Sequence, residues 1–298
     1  MTVLELVQQA EAALLAAGVH FGHGTTNAYD EAAWLVLWRL GLPLDALDAV
    51  AGQDVAPVQA EQVRALVAER IHTRKPAAYL TGEAWLQGVP FYVDERAIVP
   101  RSLIAEPLAE GSIDVWLTER TKHVLDLCTG NGSLAVLAAL AWPEVTVDAT
   151  DLSADALAVA ARNVQRHGLA DRITLLQGDG LAAVAGRRYD LVLCNPPYVN
   201  RRAMAELPAE YRAEPALALD GNLHGGDDGM DFIRRLLAEA PAHLTGDAVL
   251  VLEIGHERPH FEAAFPLLDV VWLSTSAGDE QVLLVTAEAL RAHQPETP

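Results

Sequence analysis

The stretch LVLCNPPYVN, residues 191–200, ends a strand-forming apolar run on an amide, two prolines and an aromatic residue. Because Pro196 and Pro197 lack an N–H and hold φ at about −65°, the strand cannot continue through them. The side chain of Asn195, the carbonyl of Pro196 and the ring of Tyr198 would therefore be presented at a strand end, where they could orient a planar group. A proline-terminated strand followed by a core tyrosine would have the same sequence, so other residues must decide between the two interpretations.

The stretch VLDLCTGNGSLAVLAAL predicts a strand, a glycine turn and a helix. Gly130 and Gly132 would let the backbone approach a ligand at a helix N-terminus, although a tight turn that needs glycine for packing is the alternative. The stretch is not the dinucleotide fingerprint G-x-G-x-x-G, because position 135 is alanine. Its spacing D-x-x-x-G-x-G resembles the first motif of the class I methyltransferases, which bind S-adenosylmethionine. The resemblance implies cofactor contacts from Asp126, directly or through water, and from Cys128, Thr129, Gly130, Asn131 and Gly132.

Two further acidic residues follow later strands of the same pattern. Asp151 ends TVDATD about 20 positions beyond the glycine loop, where folds of this kind bind ribose hydroxyls. Asp148 competes for this role but lies in the middle of the strand. Asp179, followed by Gly180, would lie on the adenine side of the cofactor or serve only as a turn residue. Because the carboxyl ends of successive parallel strands meet in one crevice, these residues predict a single cofactor site.

With a methyl donor expected in that crevice, Asn-Pro-Pro-Tyr resembles the [Asn/Asp/Ser]-Pro-Pro-[aromatic] motif of the amino-group methyltransferases. Their acceptor is a planar nitrogen, which is a poor nucleophile because its lone pair is delocalised. Two acceptors aimed at its hydrogens orient the nitrogen and favour the charge that develops on it. The resemblance implies that Asn195 and the Pro196 carbonyl are these acceptors, that Pro197 helps to fix the carbonyl, and that Tyr198 stacks on the substrate. Asn195 is also expected to contact the cofactor.

Composition limits the partners. The 298 residues carry 41 acidic and 21 basic side chains, a formal net charge of −20. This charge repels a phosphate backbone, so direct nucleic-acid specificity is not expected, whereas a basic protein partner or simple solubility both fit. Cys128 and Cys194 have no metal-like spacing, and no metal site is expected. The N-terminus lacks the basic region of a signal peptide and no apolar run is long enough to cross a membrane, which predicts a cytoplasmic protein.

The pattern along the chain predicts the elements that position these residues. Residues 1–80 show helical apolar spacing, and 81–120 predict a hairpin turning at Gln87-Gly88 and a connecting helix from Ser102 to about Leu117. From residue 121 onward strands alternate with helices, which predicts a parallel sheet, and the short turn between the last two strands makes them antiparallel. The other strands are expected at 123–128, 146–151, 173–178, 189–194 and 248–254.

The helical first part, the hairpin and NPPYV with the later ELPAEYRAEPALAL resemble the protein-glutamine N5-methyltransferases over nearly the whole chain. In that family an R-x-E-P element follows, here Arg212, Glu214 and Pro215. One branch methylates the Gly-Gly-Gln glutamine of peptide-chain release factors and usually has Arg-Pro-x-Thr-Glu where this chain has VPRSLIAE. HFGHGTTNAYDEAAWLV and DLCTGNGS are similar instead to the branch that methylates large ribosomal subunit protein three. Two departures are Leu103, where that branch commonly has proline, and LDGNLHGG, which is longer than the usual link.

The resemblance implies an α/β class I methyltransferase with a Rossmann-like, seven-stranded, mostly parallel sheet and an antiparallel last strand. A small helical domain at 1–80 would bind the substrate, 81–120 would form the hairpin and connecting helix, and 121–298 would be catalytic. The implied reaction moves a methyl group from S-adenosylmethionine to the side-chain amide nitrogen of a glutamine in the ribosomal protein, leaving S-adenosylhomocysteine and needing no metal. Release factors are the alternative substrate. Amino methylation of RNA or DNA, a non-catalytic cofactor-binding module and a nicotinamide-dependent enzyme fit less well.

Three residues have no assigned chemistry. His20 and His23 flank glycines in HFGHG, where loop packing or substrate docking is expected rather than a metal pair, because no acidic or cysteine partner is near in sequence. Glu253 ends the fifth strand of the alternating pattern, and either support of the site or a purely structural role would explain it.

Overall fold

The N-terminal part is helical, as the apolar spacing predicted. The computed structural model describes residues 1–293. Its first helices are α1 (Val3–Ala16), α2 (Ala28–Leu40), α3 (Leu47–Val50), α4 (Pro57–Thr73) and α5 (Ala77–Thr81). Thr2 and Glu5 form a capping box at the start of α1, and Asn27 caps α2, which ends at Gly41 in the left-handed conformation. The buried faces of these helices pack into one apolar cluster. We call the five helices and the segments between them the helical lobe.

The predicted hairpin is confirmed. β1 (Glu83–Leu86) pairs antiparallel with β2 (Val89–Tyr92). The turn residues Gln87 and Gly88 have φ of 49° and 74°, which a two-residue turn of type I′ requires at both positions. Asn163 holds the hairpin against the rest of the chain, since its side chain accepts the N–H of Tyr92 at 2.7 Å.

The predicted single helix from Ser102 to Leu117 is wrong. α6 (Ala105–Ala109) is only five residues long, and a 3₁₀ turn at Asp114–Trp116 follows it. Gly111 between them has φ of 74°, a left-handed conformation that ends a helix and redirects the chain. The apolar residues of this segment are still buried in the core. Apolar spacing alone, however, predicted a helix that is too long.

The rest of the chain builds one seven-stranded sheet, in the order β5-β4-β3-β6-β7-β9-β8. Its strands are β3 (His123–Leu127), β4 (Thr146–Asp151), β5 (Ile173–Gln177), β6 (Tyr189–Cys194), β7 (Leu244–Glu253), β8 (Val271–Thr275) and β9 (Gly278–Thr286). β3 to β7 run parallel, and β9 runs antiparallel to β7 and β8. The predicted mostly parallel sheet with an antiparallel last strand is therefore confirmed.

Helices cover both faces of the sheet. They are α7 (Ser133–Ala141), α8 (Ala154–Arg166), α11 (Asp231–His243), α12 (Arg258–Ala264) and α13 (Ala287–His293). Two short helices, α9 (Arg201–Glu206) and α10 (Ala209–Arg212), lie in the segment between β6 and α11. Two apolar clusters, both containing residues of the central strands, fill the space between the sheet and these helices. None of the helices within residues 1–293 has both the length and the apolar character needed to span a bilayer.

The register of the central strands determines which residues meet. Leu127, the last residue of β3, pairs with Thr150 of β4 on one side and with Cys194 of β6 on the other. The glycine loop, Asp151 and Asn195 follow these paired residues directly. The three strand ends therefore deliver them to one edge of the sheet.

Candidate active site

A cavity of about 320 Å³ opens at this edge of the sheet, a volume within the range of about 300–1,000 Å³ found for small-molecule sites. Its wall is mostly apolar with a few polar groups, a composition typical of such sites. The predicted site residues that lie in this wall are Cys128, Gly130, Asp151, Asp179, Gly180, Asn195 and Pro197. Residues from the ends of four strands are thus brought together in one cavity.

The remaining predicted residues of the glycine loop lie behind the wall. Asn131 is buried, and its side chain donates to the carbonyl of Ile98 at 2.8 Å and accepts the N–H of Ser133 at 3.0 Å. A Cβ at Gly132 would lie 3.0 Å from the Cβ of Ala160, so this glycine permits close packing of the loop against α8. These residues shape the loop instead of lining the cavity.

Asp126 lies beneath the loop and is 1% exposed. It accepts hydrogen bonds from the hydroxyl of Thr129 and from the N–H of Ala135. Burial raises the pKa of Asp126 to about 7, although these two hydrogen bonds oppose the shift. Its second carboxyl oxygen is buried and has no hydrogen-bond partner among residues 1–293. Asp126 is not among the residues that line the cavity, and its predicted contact with a cofactor stays a prediction.

Asp151 occupies the position expected for a ribose contact. Its carboxylate accepts the N–H of Gly130 at 2.9 Å and the N–H of Ser153 at 2.8 Å, which fixes it at the cavity wall. Burial raises the pKa of Asp151. Asp148 does not reach the cavity, because its carboxylate accepts from Arg187 and Tyr189 at 2.7 Å each. Asp151 therefore lies in the cavity wall and Asp148 does not, and the contact of Asp151 with a ribose stays a prediction.

Asp179 has a partner that the sequence analysis missed. Arg235 on α11 donates two hydrogen bonds to its carboxylate, one of them 2.7 Å long, and lines the same cavity. These hydrogen bonds hold the pKa of Asp179 below its usual range. No local spacing marks Arg235, because it lies 56 positions beyond Asp179.

The link after the R-x-E-P element, residues 219–226, contributes Leu223 and His224 to the cavity wall. The carboxylate of Asp231 holds the link by accepting the N–H of His224 at 2.8 Å and of Gly226 at 3.0 Å. Gly229, with φ of 77°, packs on the carbonyl of Tyr198 so closely that a Cβ there would collide with it. The link and Gly229 therefore join this part of the cavity wall to the Asn-Pro-Pro-Tyr segment.

Asn195 is half-buried in the cavity wall, with Pro197 beside it. Within residues 1–293 its carboxamide forms no hydrogen bond, so both its oxygen and its nitrogen are available to a ligand. Pro196 is buried behind the wall. Tyr198 is half-buried and not in the wall, and a Cβ at Gly255 would lie 2.5 Å from its ring. Its predicted contact with the substrate remains a prediction.

Glu253 supports the Asn-Pro-Pro-Tyr segment. Its buried carboxylate accepts hydrogen bonds from the hydroxyl of Ser102 at 2.6 Å, the N–H of Leu103 at 2.9 Å and the hydroxyl of Tyr198 at 3.2 Å. Burial raises the pKa of Glu253, and the three hydrogen bonds oppose the shift. Leu103 thus meets the carboxylate through its backbone, a contact that needs an N–H and that proline could not make.

Arg96, Ala97 and Ile98 line the cavity from the linker between the hairpin and α6, and sequence patterns did not predict them. Within the part of the chain that the structure describes, no three His, Cys, Asp or Glu side chains are grouped so that they could hold a metal ion.

Known proteins are similar to this chain in sequence. The family model of the methyltransferase small domain matches residues 113–224, which contain the glycine loop and Asn-Pro-Pro-Tyr. A ribosomal protein uL3 glutamine methyltransferase from Bordetella pertussis is 54% identical over 291 residues, covering 97% of this chain and 96% of the relative. One from Burkholderia pseudomallei is 52% identical over 299 residues, covering 98% and 96%. One from Neisseria meningitidis serogroup B is 44% identical over 291 residues, covering 97% and 94%.

Among solved structures, the hMettl16 catalytic domain in complex with MAT2A 3′UTR hairpin 1 has a TM-score of 0.51. The match covers 80% of this chain and 83% of that chain at 13% identity. At this identity the likeness concerns the fold alone, which is that of a methyltransferase domain.

Proposed function

This chain belongs to the family of ribosomal protein uL3 glutamine methyltransferases, and we propose that it transfers a methyl group from S-adenosylmethionine to a glutamine side-chain amide in ribosomal protein uL3. The observation that carries the proposed chemistry is Asn195. Its carboxamide stands unpaired in a cavity wall beside Gly130 and Asp151. The names of relatives that match nearly the whole chain support the substrate.

The residues of the cavity fit the methyl donor, which when bound would supply an electrophilic methyl group on a sulfonium. Asp151 would accept hydrogen bonds from the ribose hydroxyls, and the free oxygen of Asp126 would hold the amine directly or through water. Leu152, which is 48% exposed at the cavity, offers an apolar surface to the nucleoside. Asp179 and Arg235 would lie on the adenine side.

The acceptor amide would be oriented by the Asn195 side-chain oxygen and the Pro196 carbonyl, each accepting one of its N–H hydrogens. These contacts hold the nitrogen in line with the methyl group and stabilise the charge that develops as the new N–C bond forms. Tyr198 would pack against the flat face of the amide. The nitrogen then loses a proton, which passes to water. Because the methyl group passes directly to the acceptor, the enzyme forms no covalent intermediate.

The helical lobe would bind the protein substrate, since it stands beside the catalytic part and no step of the chemistry needs it. The net charge of −20 suits a basic ribosomal protein, and a cytoplasmic location suits a protein of the translation machinery. The alternative is the same reaction on the Gly-Gly-Gln glutamine of release factors, which the names of the relatives do not favour.

One experiment tests the function. The purified chain is incubated with methyl-labelled S-adenosylmethionine and, separately, with unmethylated uL3, a release factor and RNA. We expect label in uL3 on a glutamine, identified by peptide mass spectrometry. Label only in the release factor would contradict the substrate, and label only in RNA would contradict protein methylation altogether.

A further inference from the structure

Two buried glutamates after the Asn-Pro-Pro-Tyr motif join this segment to the helical lobe. Glu210 and Glu214 are 2% and 4% exposed. Glu210 accepts the N–H of His20 at 3.1 Å and a guanidinium hydrogen of Arg74 at 3.3 Å, and it lies 3.6 Å from the guanidinium of Arg70. All three of these partners belong to the helical lobe, so Glu210 serves to attach it.

Glu214 has a different set of partners. Its carboxylate accepts the N–H of Val99 at 2.9 Å and two hydrogen bonds from Arg101, at 2.6 and 2.7 Å. The ring nitrogen Nε2 of His23 lies 3.3 Å away. Burial acts to raise the pKa of Glu214, but attraction to Arg101 and the hydrogen bonds from Arg101, with the nearby His23 ring, outweigh it and lower the pKa to about 2. Glu214 is therefore ionised at neutral pH and compensated within the protein.

These contacts place Glu214 between two walls of the cavity. Ala97 and Ile98, which come directly before Val99, line the cavity, and so do Pro215, which directly follows Glu214, and Leu217. The carboxylate of Glu214 thus binds one lining segment through the Val99 N–H, and its backbone continues into the other. Both walls are positioned by one group that touches neither the cavity nor a ligand.

The glycine-rich HFGHG stretch supports the same junction. The ring of Tyr211 lies between His23, at a centroid distance of 4.3 Å, and the guanidinium of Arg101, at 5.4 Å from the ring centre. Gly22 has φ of 139°, and a Cβ there would collide with the Tyr211 hydroxyl. The stretch therefore packs against the R-x-E-P segment. Loop packing explains the need for glycine at position 22 and the place of His23.

We propose that Glu214 is a positioning residue for methyl transfer, which holds the linker wall and the wall after Glu214 at the separation that the donor and the acceptor amide require. His23 extends this support to the helical lobe. The proposal rests on the proposed function for its reaction, but the separation of the walls also determines donor affinity, which can be measured without an acceptor.

The test compares two full-length variants, E214Q and E210Q. Glutamine keeps the size of each side chain, and Glu210 is the matched control because it is equally buried but has no contact with Val99 or Arg101. Isothermal titration calorimetry with S-adenosylhomocysteine measures donor-site affinity, and steady-state kinetics with uL3 measure kcat and KM. We expect weaker S-adenosylhomocysteine binding in E214Q and a kcat lower by about 100-fold, the scale of a misplacement of about 1 Å. E210Q should leave the S-adenosylhomocysteine affinity unchanged, because the partners of Glu210 belong to the helical lobe.

The double variant R101Q/E214Q separates positioning from charge balance. It leaves no uncompensated guanidinium, so its thermal midpoint should recover relative to E214Q, while donor affinity and kcat should stay low. Full recovery of affinity and kcat, or wild-type affinity and kcat in E214Q itself, would overturn the proposal. If the wild-type chain binds S-adenosylhomocysteine but does not methylate uL3, the proposed function fails, and the affinities of the variants still decide the role of Glu214.

Discussion

The hydroxyl of Tyr198 donates a hydrogen bond across 3.2 Å to the buried carboxylate of Glu253, which ties the Asn-Pro-Pro-Tyr motif to the last residue of β7. The same carboxylate accepts hydrogen bonds from the hydroxyl of Ser102 and the N–H of Leu103 in the linker. Three separate parts of the chain therefore meet at Glu253. The hydroxyl of Tyr198 is therefore already engaged, so the proposed contact with the substrate would fall to its ring.

Substitutions at Tyr198 should separate these two parts. Y198F loses one hydrogen bond, and its free energy of unfolding should fall by about 1–2 kcal/mol because Glu253 keeps two donors. Y198A also loses the ring, and its free energy of unfolding should fall by about 3–5 kcal/mol. Urea unfolding measures the stability, and methylation of uL3 should persist in Y198F and be nearly lost in Y198A. Equal loss of methylation in both variants would show that the hydroxyl itself is needed.

N195A should abolish methyl transfer while S-adenosylhomocysteine binding largely survives. The Asn195 side chain has no hydrogen-bond partner within residues 1–293, so its removal should cost little stability. Losing one preorganised contact to the developing charge should lower kcat by about 10²–10³-fold. N27A is a suitable control, because it removes an exposed helix cap of the lobe and should leave kcat unchanged. Normal turnover in N195A would remove Asn195 from the mechanism.

Asp151 and Asp148 are three residues apart on β4 and form a matched pair. A hydrogen bond to a charged group is worth about 1.5–3 kcal/mol, so D151N should weaken S-adenosylhomocysteine binding by about 10- to 100-fold. D148N should not, since Asp148 contacts Arg187 and Tyr189 away from the cavity. Calorimetric titration of both variants measures the difference, and similar affinities would refute the ribose role of Asp151.

The pKa of Asp126 predicts how stability depends on pH. Burial raises this pKa from 3.8 to about 7, so the native chain binds the proton more tightly than the unfolded chain does. The contribution of Asp126 to stability is complete below the unfolded-state pKa and is lost as pH rises through the folded-state pKa. The full loss is on the order of 4 kcal/mol. D126N cannot titrate, so urea unfolding across this pH window should show a flatter profile for the variant, whereas parallel profiles would contradict the assignment.

Much of the fold and part of the site followed from local patterns. The glycine loop, the strand ends at Asp151 and Asn195 and the Gln87-Gly88 turn all lie where their sequences predicted. The connecting helix from Ser102 was wrong because Gly111 interrupts it with a left-handed conformation that apolar periodicity does not report. Arg235 was missed because its partner Asp179 lies 56 positions earlier in the chain.

The sequence by itself determined the strands, the turns and the motifs at strand ends, because these depend on side-chain periodicity and on the backbone limits of glycine and proline. Only the tertiary structure decided which charged residues compensate one another. Arg74 and Glu210 are 136 positions apart, and no spacing relates them. Burial made their pairing obligatory, since a carboxylate taken out of water must find a partner inside the protein, and the fold alone determines which partner is within reach.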